Sequence, residues 1–288
     1  IKNPASKIYK AIMRLRAQHR MVLTGTPIEN SLTDLWAQLN FLNQGLLGSY
    51  NYFRESFANP IERYKDPRRE ELLQALIHPF LLRRRKDEVA LDLPPLSEQV
   101  YYCEMTEAQH KIYEEYKSYA RNKILEDMDG DEEDLNLQGK SMLILETLMR
   151  LRQMANHPVL TEAGYEGESG KFNEVCRALD NLVAEGHKVI IFSAFKKHLE
   201  LVARYLEGQD YGYSMLTGAT QNRKKEIDRF QQDESTKAFL ITLKAGGTGL
   251  NITAAGYVFI LDPWWNPAAE DQAIGRAHRI GQDKKVFV

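Results

Sequence analysis

The sequence lacks what would mark a secreted, membrane-spanning or metal-built protein. It holds two cysteines in 288 residues, Cys103 and Cys176, with no metal-ligand cluster beside them. That excludes a disulfide scaffold and a cysteine-based metal site, and the plain reading is two buried, reduced thiols. No apolar run approaches the roughly 18 residues of a membrane span; the longest are short, such as residues 189–192. No basic-then-apolar start resembles a secretory signal. Charge of one sign is missing too: 38 Lys and Arg face 40 Asp and Glu, a net −2. Such a balance neither announces nor excludes nucleic acid, because phosphate contacts depend on local clusters.

What is present is ordinary for a globular chain, with 43% apolar and 27% charged residues and enough length for two domains. Basic clusters occur at 83–86, 196–198, 223–225 and 284–285; each taken singly reads as a solvated face. The acidic run 126–134 reads as a solvated loop.

Texture divides the chain. Up to about residue 160 the pattern is helical, with helices expected at 5–17, 32–42, 68–77, 106–127 and 141–156. Pro94-Pro95 breaks it, and residues 78–86 read as a connector. From about 170, short β-branched or aromatic runs at 188–193, 213–217, 237–242, 257–262 and 286–288 alternate with helical patterns at 173–185, 196–207, 221–232 and 267–280. Strands and helices in this rhythm mean βαβ units and a doubly wound α/β parallel sheet. Binding sites in such sheets lie outside the carboxyl ends of the strands. Those ends are Ser193, Thr217-Gly218, residues 242–249 and residues 262–266, where the unusual segments cluster.

Two apparent phosphate loops fail on context. Gly139-Lys140-Ser141 has Asp134 where a glycine is required and an acidic run where a strand should precede; residues 164–171 are one residue too long and lead to Phe172 instead of a hydroxyl.

Four segments carry chemistry. Residues 244–251 place Gly246, Gly247 and Gly249 after a strand, so that backbone N–H groups can converge into an anion-binding nest, with Lys244, Thr248 and Asn251 adding donors; the alternative is a turn with no ligand. Residues 267–280 read as a helix capped by Asn266 with Pro267 at its first position. Gln272, Arg276 and Arg279 then share one face, suited to a phosphate chain across a cleft, or else to pairing with Glu270 or Asp271. His278 lies off that face as a packing or hydrogen-bonding residue. The block from Asp262 to Pro267 sets Trp264 beside Trp265 at a strand end, where consecutive residues point in different directions and one can be core while the other is at the surface; an exposed indole there can stack on a base or sugar or brace a neighbouring lobe. Residues 24–27, Thr-Gly-Thr-Pro, follow the apolar run 21–23, read as a strand belonging to another sheet.

Together, and in this order, these segments resemble the later motifs of helicase superfamily two, specifically its Swi/Snf branch. Residues 23–30 resemble the third motif, which closes the first lobe; residues 78–86 the connector; residues 189–193 the fourth motif; and residues 216–220, with Arg223 and Phe230, the segment after it. Residues 244–251 resemble the fifth motif, and residues 262–267 with 272–282 the tryptophan block and the sixth. The loop 218–223 is about two residues shorter than in many relatives, and Gly256 and Gly275 stand where aspartate is common.

The resemblance implies a RecA-like doubly wound parallel sheet, the second helicase lobe, with helical protrusions and a remnant of the first lobe. Residues 1–80 would be that remnant, 81–105 the connector and start of the second lobe, 106–160 its helical protrusion and 161–288 the second lobe proper. It implies ATP and Mg2+ held mainly by the first lobe, whose phosphate loop and Asp-Glu motif would precede residue 1. It assigns Arg276 and Arg279 to catalysis, and Gln272, Gly247 and Gly249 to nucleotide. Duplex DNA, bound without sequence preference, falls to Ser193, Gly218, Thr220, Lys244, Gly246, Thr248, Asn251, Trp264 and Trp265. Thr24, Gly25 and Thr26 would couple the sites. Implied partners are the first ATPase lobe and a DNA-bound protein target, with no membrane; location would be nucleoid-associated in a prokaryote and nuclear in a eukaryote. Two rival readings are a non-catalytic DNA- or partner-binding module, which has no need of the two arginines, and an RNA-directed helicase, which the tryptophan block disfavours.

Overall fold

The computed structural model describes residues 1–25, 27–28, 31–129, 137–246 and 249–288. The chain divides into two compact units, Ile1–Leu91 and Asp92–Val288.

The first unit is helical among its described residues. Helix α1 (Lys7–Ile12) is capped by the Ser6 hydroxyl, α2 (Leu32–Leu42) by Ser31, and α3 (Tyr50–Phe53) runs through a π-turn at Arg54–Ala58 into α4 (Asn59–Tyr64). Lys65 adopts a left-handed conformation, φ 53°, and frees the chain to start α5 (Pro67–Ile77) on an Asp66 cap. Leu35, Trp36 and Leu39 recur at helical spacing on α2 and bury one stripe against Tyr9, Phe53, Phe57 and Leu73. Helix α6 (Lys86–Val89) follows the exposed arginines 83–85. Two expectations are corrected. The helix at 5–17 is confined to Lys7–Ile12. The run 21–23 forms no strand, and Met21 and Leu23 stand 80% and 88% exposed. Three residues with no neighbouring strand among the described residues cannot satisfy their backbone in a ladder.

The second unit is a six-stranded, all-parallel sheet of order β1-β6-β5-β2-β4-β3. Its strands are β1 (Leu96–Ser97), β2 (Val189–Ser193), β3 (Gly212–Leu216), β4 (Thr236–Thr242), β5 (Tyr257–Ile260) and β6 (Val286–Phe287). The short β1 had no counterpart among the expected strands. Helices α7 (Glu107–Asp129) and α8 (Leu137–Asn156) form an antiparallel hairpin ahead of the sheet, and α9 (Gly170–Ala184) leads into β2. Next come α10 (Lys196–Gly208), α11 (Arg223–Gln232), the single turn α12 (Leu243–Gly246) and α13 (Pro267–Ala277).

Strand periodicity explains the double winding. Ile190 and Phe192 of β2 join Phe239, Ile241, Phe230 and Ala273 on one face, while Val189 and Ile191 join Leu240, Leu179, Leu199 and Leu206 on the other. All five β2 residues are buried, which a central parallel strand covered on both sides requires. Each such Leu, Ile or Phe contributes about 1.5–3 kcal/mol of burial. The departure at Gly256 has a packing reason: a Cβ there would sit 3.2 Å from the Lys285 carbonyl oxygen, and Gly256 itself accepts the Phe287 N–H at 2.8 Å.

The register aligns Ser193 with Thr242 and Phe192 with Ile260, so the exits of β2, β4 and β5 lie side by side. After β4 the chain crosses from one side of β2 to the other to form β5. This reversal of winding is where doubly wound sheets open a crevice.

Candidate functional site at the strand exits

Asp262, just past β5, ties that crevice together. Its carboxylate is almost fully buried; Oδ1 accepts the Ser193 hydroxyl at 2.5 Å and Oδ2 the Ala194 N–H at 2.6 Å. Buried His198 lies alongside, its Nδ1 3.7 Å from Asp262 Oδ1. Ser193 also accepts the Phe195 N–H at 3.0 Å and is itself fully buried, so its hydroxyl is engaged within the protein.

The β3 exit is a self-contained turn. The Thr217 N–H donates to Thr220 Oγ1 at 2.9 Å and the Thr220 N–H to the Thr217 carbonyl at 3.2 Å. Gly218 and Ala219 are left at its exposed tip, with nothing within 4 Å of where a Gly218 side chain would be. The turn is short because Thr220 closes it.

The glycine segment begins as the single turn α12, then reverses at Gly249, φ 53°. Gly247 and Thr248 lie outside the described residues, as does Thr26. Lys244, Gly249 and Asn251 are exposed, whereas Gly246 is buried so tightly that a Cβ would meet Phe192 Cε1 at 2.9 Å. Three arginines hold this loop by its carbonyl oxygens. Arg276 Nε donates to Gly246 at 2.8 Å, Arg279 Nη1 to Leu250 at 2.7 Å and Arg223 Nη2 to Ala245 at 2.5 Å. In return the Ile252 N–H donates to the Arg276 carbonyl at 2.9 Å.

Helix α13 starts as expected: Asn266 accepts the Ala268 N–H and Pro267 occupies the first turn. It ends three residues early, at Ala277, because His278 leaves helical geometry with ψ 86° and its Nε2 pairs with the Pro94 carbonyl at 2.8 Å. Arg279 is therefore off the helix, and the expected shared face reaches only from Gln272 to Arg276; Arg279 rejoins Arg276 through the loop that both bind. Both arginines are half-buried. Burial first, then the charge of Arg279, lowers the Arg276 pKa from its usual value; a guanidinium stays protonated regardless.

Trp264 and Trp265 stand 4.2 Å apart, ring planes 34° from parallel. Neither is in the core: Trp264 is half-buried and Trp265 is 63% exposed. The Trp264 backbone N–H donates to Glu270 Oε1 at 2.6 Å. Thr24 and Gly25 lie in the first unit and are exposed.

Sequence reasoning missed several supports. Arg152 of α8 lies over both tryptophans, buried Gln282 donates to the Ala255 and Ala277 carbonyls at 3.0 and 3.1 Å, and Lys171 donates to the Leu261 carbonyl at 3.0 Å. Lys171 belongs to a segment discarded as a phosphate loop, and burial lowers its pKa. Cys103, expected to be buried, is half-exposed; Cys176 is buried.

The parallel sheet, with its glycine loop and arginine-bearing helix at adjoining exits, lies in the part of the chain that matches a helicase C-terminal domain. Residues 170–281 match the helicase conserved C-terminal domain, and residues 1–160 match the SNF2-related domain. The chain belongs to the SNF2-related family. It is 37% identical, over its whole length, to a putative ATP-dependent helicase/translocase of Bacillus subtilis, YwqA, and 35% identical to the mouse SWI/SNF-related, matrix-associated, actin-dependent regulator of chromatin subfamily A member 1. It spans 31% and 28% of those relatives' lengths. Among solved structures it is similar to the Sulfolobus solfataricus SWI2/SNF2 ATPase core in complex with dsDNA, with a TM-score of 0.58, 35% identity, and all of this chain covering 60% of that one. The C-terminal part of the Fun30 ATPase domain matches 68% of this chain and 84% of its own, at a TM-score of 0.56 and 27% identity.

Proposed function

We propose that the chain is part of an ATP-driven translocase on double-stranded DNA, and that its second unit is the lobe that brings arginines to ATP and grips DNA phosphates. The observation that carries this reading is the joint seat of the two functions. Arg276 and Arg279, assigned to the nucleotide, donate directly to the loop that presents Lys244, Gly249 and Asn251 toward solvent. A change felt by the arginines is thereby a change in the loop's posture.

In the complete enzyme, ATP with Mg2+ is bound chiefly by the first lobe. Arg276 and Arg279 then stabilise charge developing on the transferred phosphoryl group, an effect of about 10³–10⁵ in rate for such arginines. Gln272, one turn before Arg276, lies on the same side of α13 to meet the nucleotide. Phosphates of one DNA strand meet Gly218, Lys244, Gly249 and Asn251, contacts that position the duplex without reading its sequence. Ser193 serves by holding Asp262, and Thr220 by closing the turn that presents Gly218. Thr24 and Gly25 couple the lobes. The 288 residues contain no phosphate loop, so they do not hydrolyse ATP by themselves. A duplex-bound protein is the natural obstacle for such a motor to displace.

Binding of the chain to fluorescent duplexes of unrelated sequence tests the DNA side. The expected result is weak affinity, equal among sequences, falling steeply with salt and reduced by Lys244→Ala. Salt-independent or sequence-selective binding would contradict it.

A further inference from the structure

The tryptophan loop is anchored from outside the sheet. The Arg152 guanidinium lies 4.9 Å from the Trp264 ring centre and 5.5 Å from those of Trp265 and Phe195. Its Nη2 also donates to the Pro263 carbonyl at 2.8 Å. One planar cation thus meets three aromatic rings and the backbone that carries two of them. A guanidinium can stack and donate at once, whereas an ammonium has no plane to stack.

The same segment is gripped at its neighbouring residues. Lys171 Nζ donates to the Leu261 carbonyl at 3.0 Å and to Asn156 Oδ1 at 2.8 Å, and Asn156 is the last residue of α8. Between those carbonyls, Asp262 holds Ser193 and Ala194. The β5 exit is therefore pinned toward the sheet by Asp262 and toward the α7–α8 hairpin by Arg152 and, through Lys171, by Asn156. Beyond these points the loop offers Trp265 to solvent, 63% exposed and outside regular structure. An indole so exposed keeps one orientation only if something restrains it, since ordering a free side chain costs entropy.

We propose that Arg152 is a positioning residue, through which the α7–α8 hairpin sets the orientation of Trp264 and Trp265 for DNA. The proposal rests on the reading of the tryptophan loop as a DNA contact. Movement of α8 relative to the sheet becomes movement of the tryptophans, which makes the hairpin a control element of the DNA grip.

The experiment compares Arg152→Ala, Arg152→Lys and Trp265→Ala in the intact protein, by tryptophan emission, acrylamide quenching and duplex affinity. Trp36, the third tryptophan, sits in the other compact unit and serves as a constant background. Arg152→Ala is expected to shift emission to longer wavelength, increase quenching and raise the Kd for duplex about 3- to 10-fold. Arg152→Lys keeps the charge but is expected to follow Arg152→Ala in all three readouts. It also carries the test if the alanine variant does not fold. Unchanged emission in Arg152→Ala, or full rescue by lysine, would overturn the proposal, because a merely structural cation tolerates either ammonium or guanidinium. If Trp265→Ala leaves duplex affinity intact while Arg152→Ala still shifts emission, the DNA reading of the loop fails and the positioning of the tryptophans stands.

Discussion

Arg276 Nε donates to the Gly246 carbonyl at 2.8 Å, which joins the helix assigned to ATP and the loop assigned to DNA in one hydrogen bond. A charge-assisted bond of this kind is worth about 1.5–3 kcal/mol. Arg276→Lys keeps a cation but not the fixed fork, so it should loosen the loop as well as weaken hydrolysis. Duplex affinity in the absence of nucleotide should fall about 2- to 10-fold relative to the parent. Unaltered affinity would show that the bond does not shape the DNA face.

Gly246 is confined by packing. Gly246→Ala pushes a methyl group to within 2.9 Å of Phe192 Cε1, a ring buried between β2 and the helices. The expected cost is about 1–3 kcal/mol, as for other overpacked sites. Chemical denaturation of the second unit should show a lower midpoint, and an unchanged midpoint would mean that Phe192 has room to give.

Asp262→Ala takes away the side-chain acceptor of the Ala194 N–H and the shorter of the two contacts of the buried Ser193 hydroxyl, which keeps only the Phe195 carbonyl at 3.2 Å. Each lost partner costs about 1–3 kcal/mol. Melting should be lowered strongly, whereas Asp262→Asn, which keeps an acceptor for one of the two donors, should cost less. Equal effects would contradict a role for Asp262 as the common latch.

Burial pushes the Cys176 thiol up to about 12 and also raises that of Cys103, which is half-exposed. A folded pKa above the unfolded one means that the stabilising contribution is complete below the unfolded thiol value and is lost as pH rises toward about 12. Iodoacetamide at pH 8 should therefore modify Cys103 first and Cys176 only on unfolding. Equal rates in the folded protein would overturn this assignment.

Much of the fold could be read locally, because its signals are local. Asn266-Pro267 specifies the start of α13, and the unbroken apolar run 189–192 specifies a strand buried on both faces. The ends were less legible. Nothing in the run Gly275 to Ile280 announces that His278 will break the helix to reach Pro94, a partner 184 positions away. The run 21–23 has the composition of a strand, yet composition cannot supply a neighbour. At the site, glycines and arginines advertised themselves by type and spacing. Arg152 did not, since its partner Pro263 is 111 positions distant and its own neighbourhood is an ordinary amphipathic helix. Ser193 shows the opposite limit: its place at a strand exit was legible, but not that Asp262 would absorb its hydroxyl.

The most direct measurement is DNA-stimulated ATP hydrolysis by the complete enzyme carrying Arg279→Ala or Arg276→Ala, with the 288-residue chain as a control. The account predicts no turnover by the chain alone and a loss of about 10³-fold or more in each variant, with duplex binding retained within about tenfold. Hydrolysis that survives both substitutions, or clear turnover by the isolated chain, would contradict it.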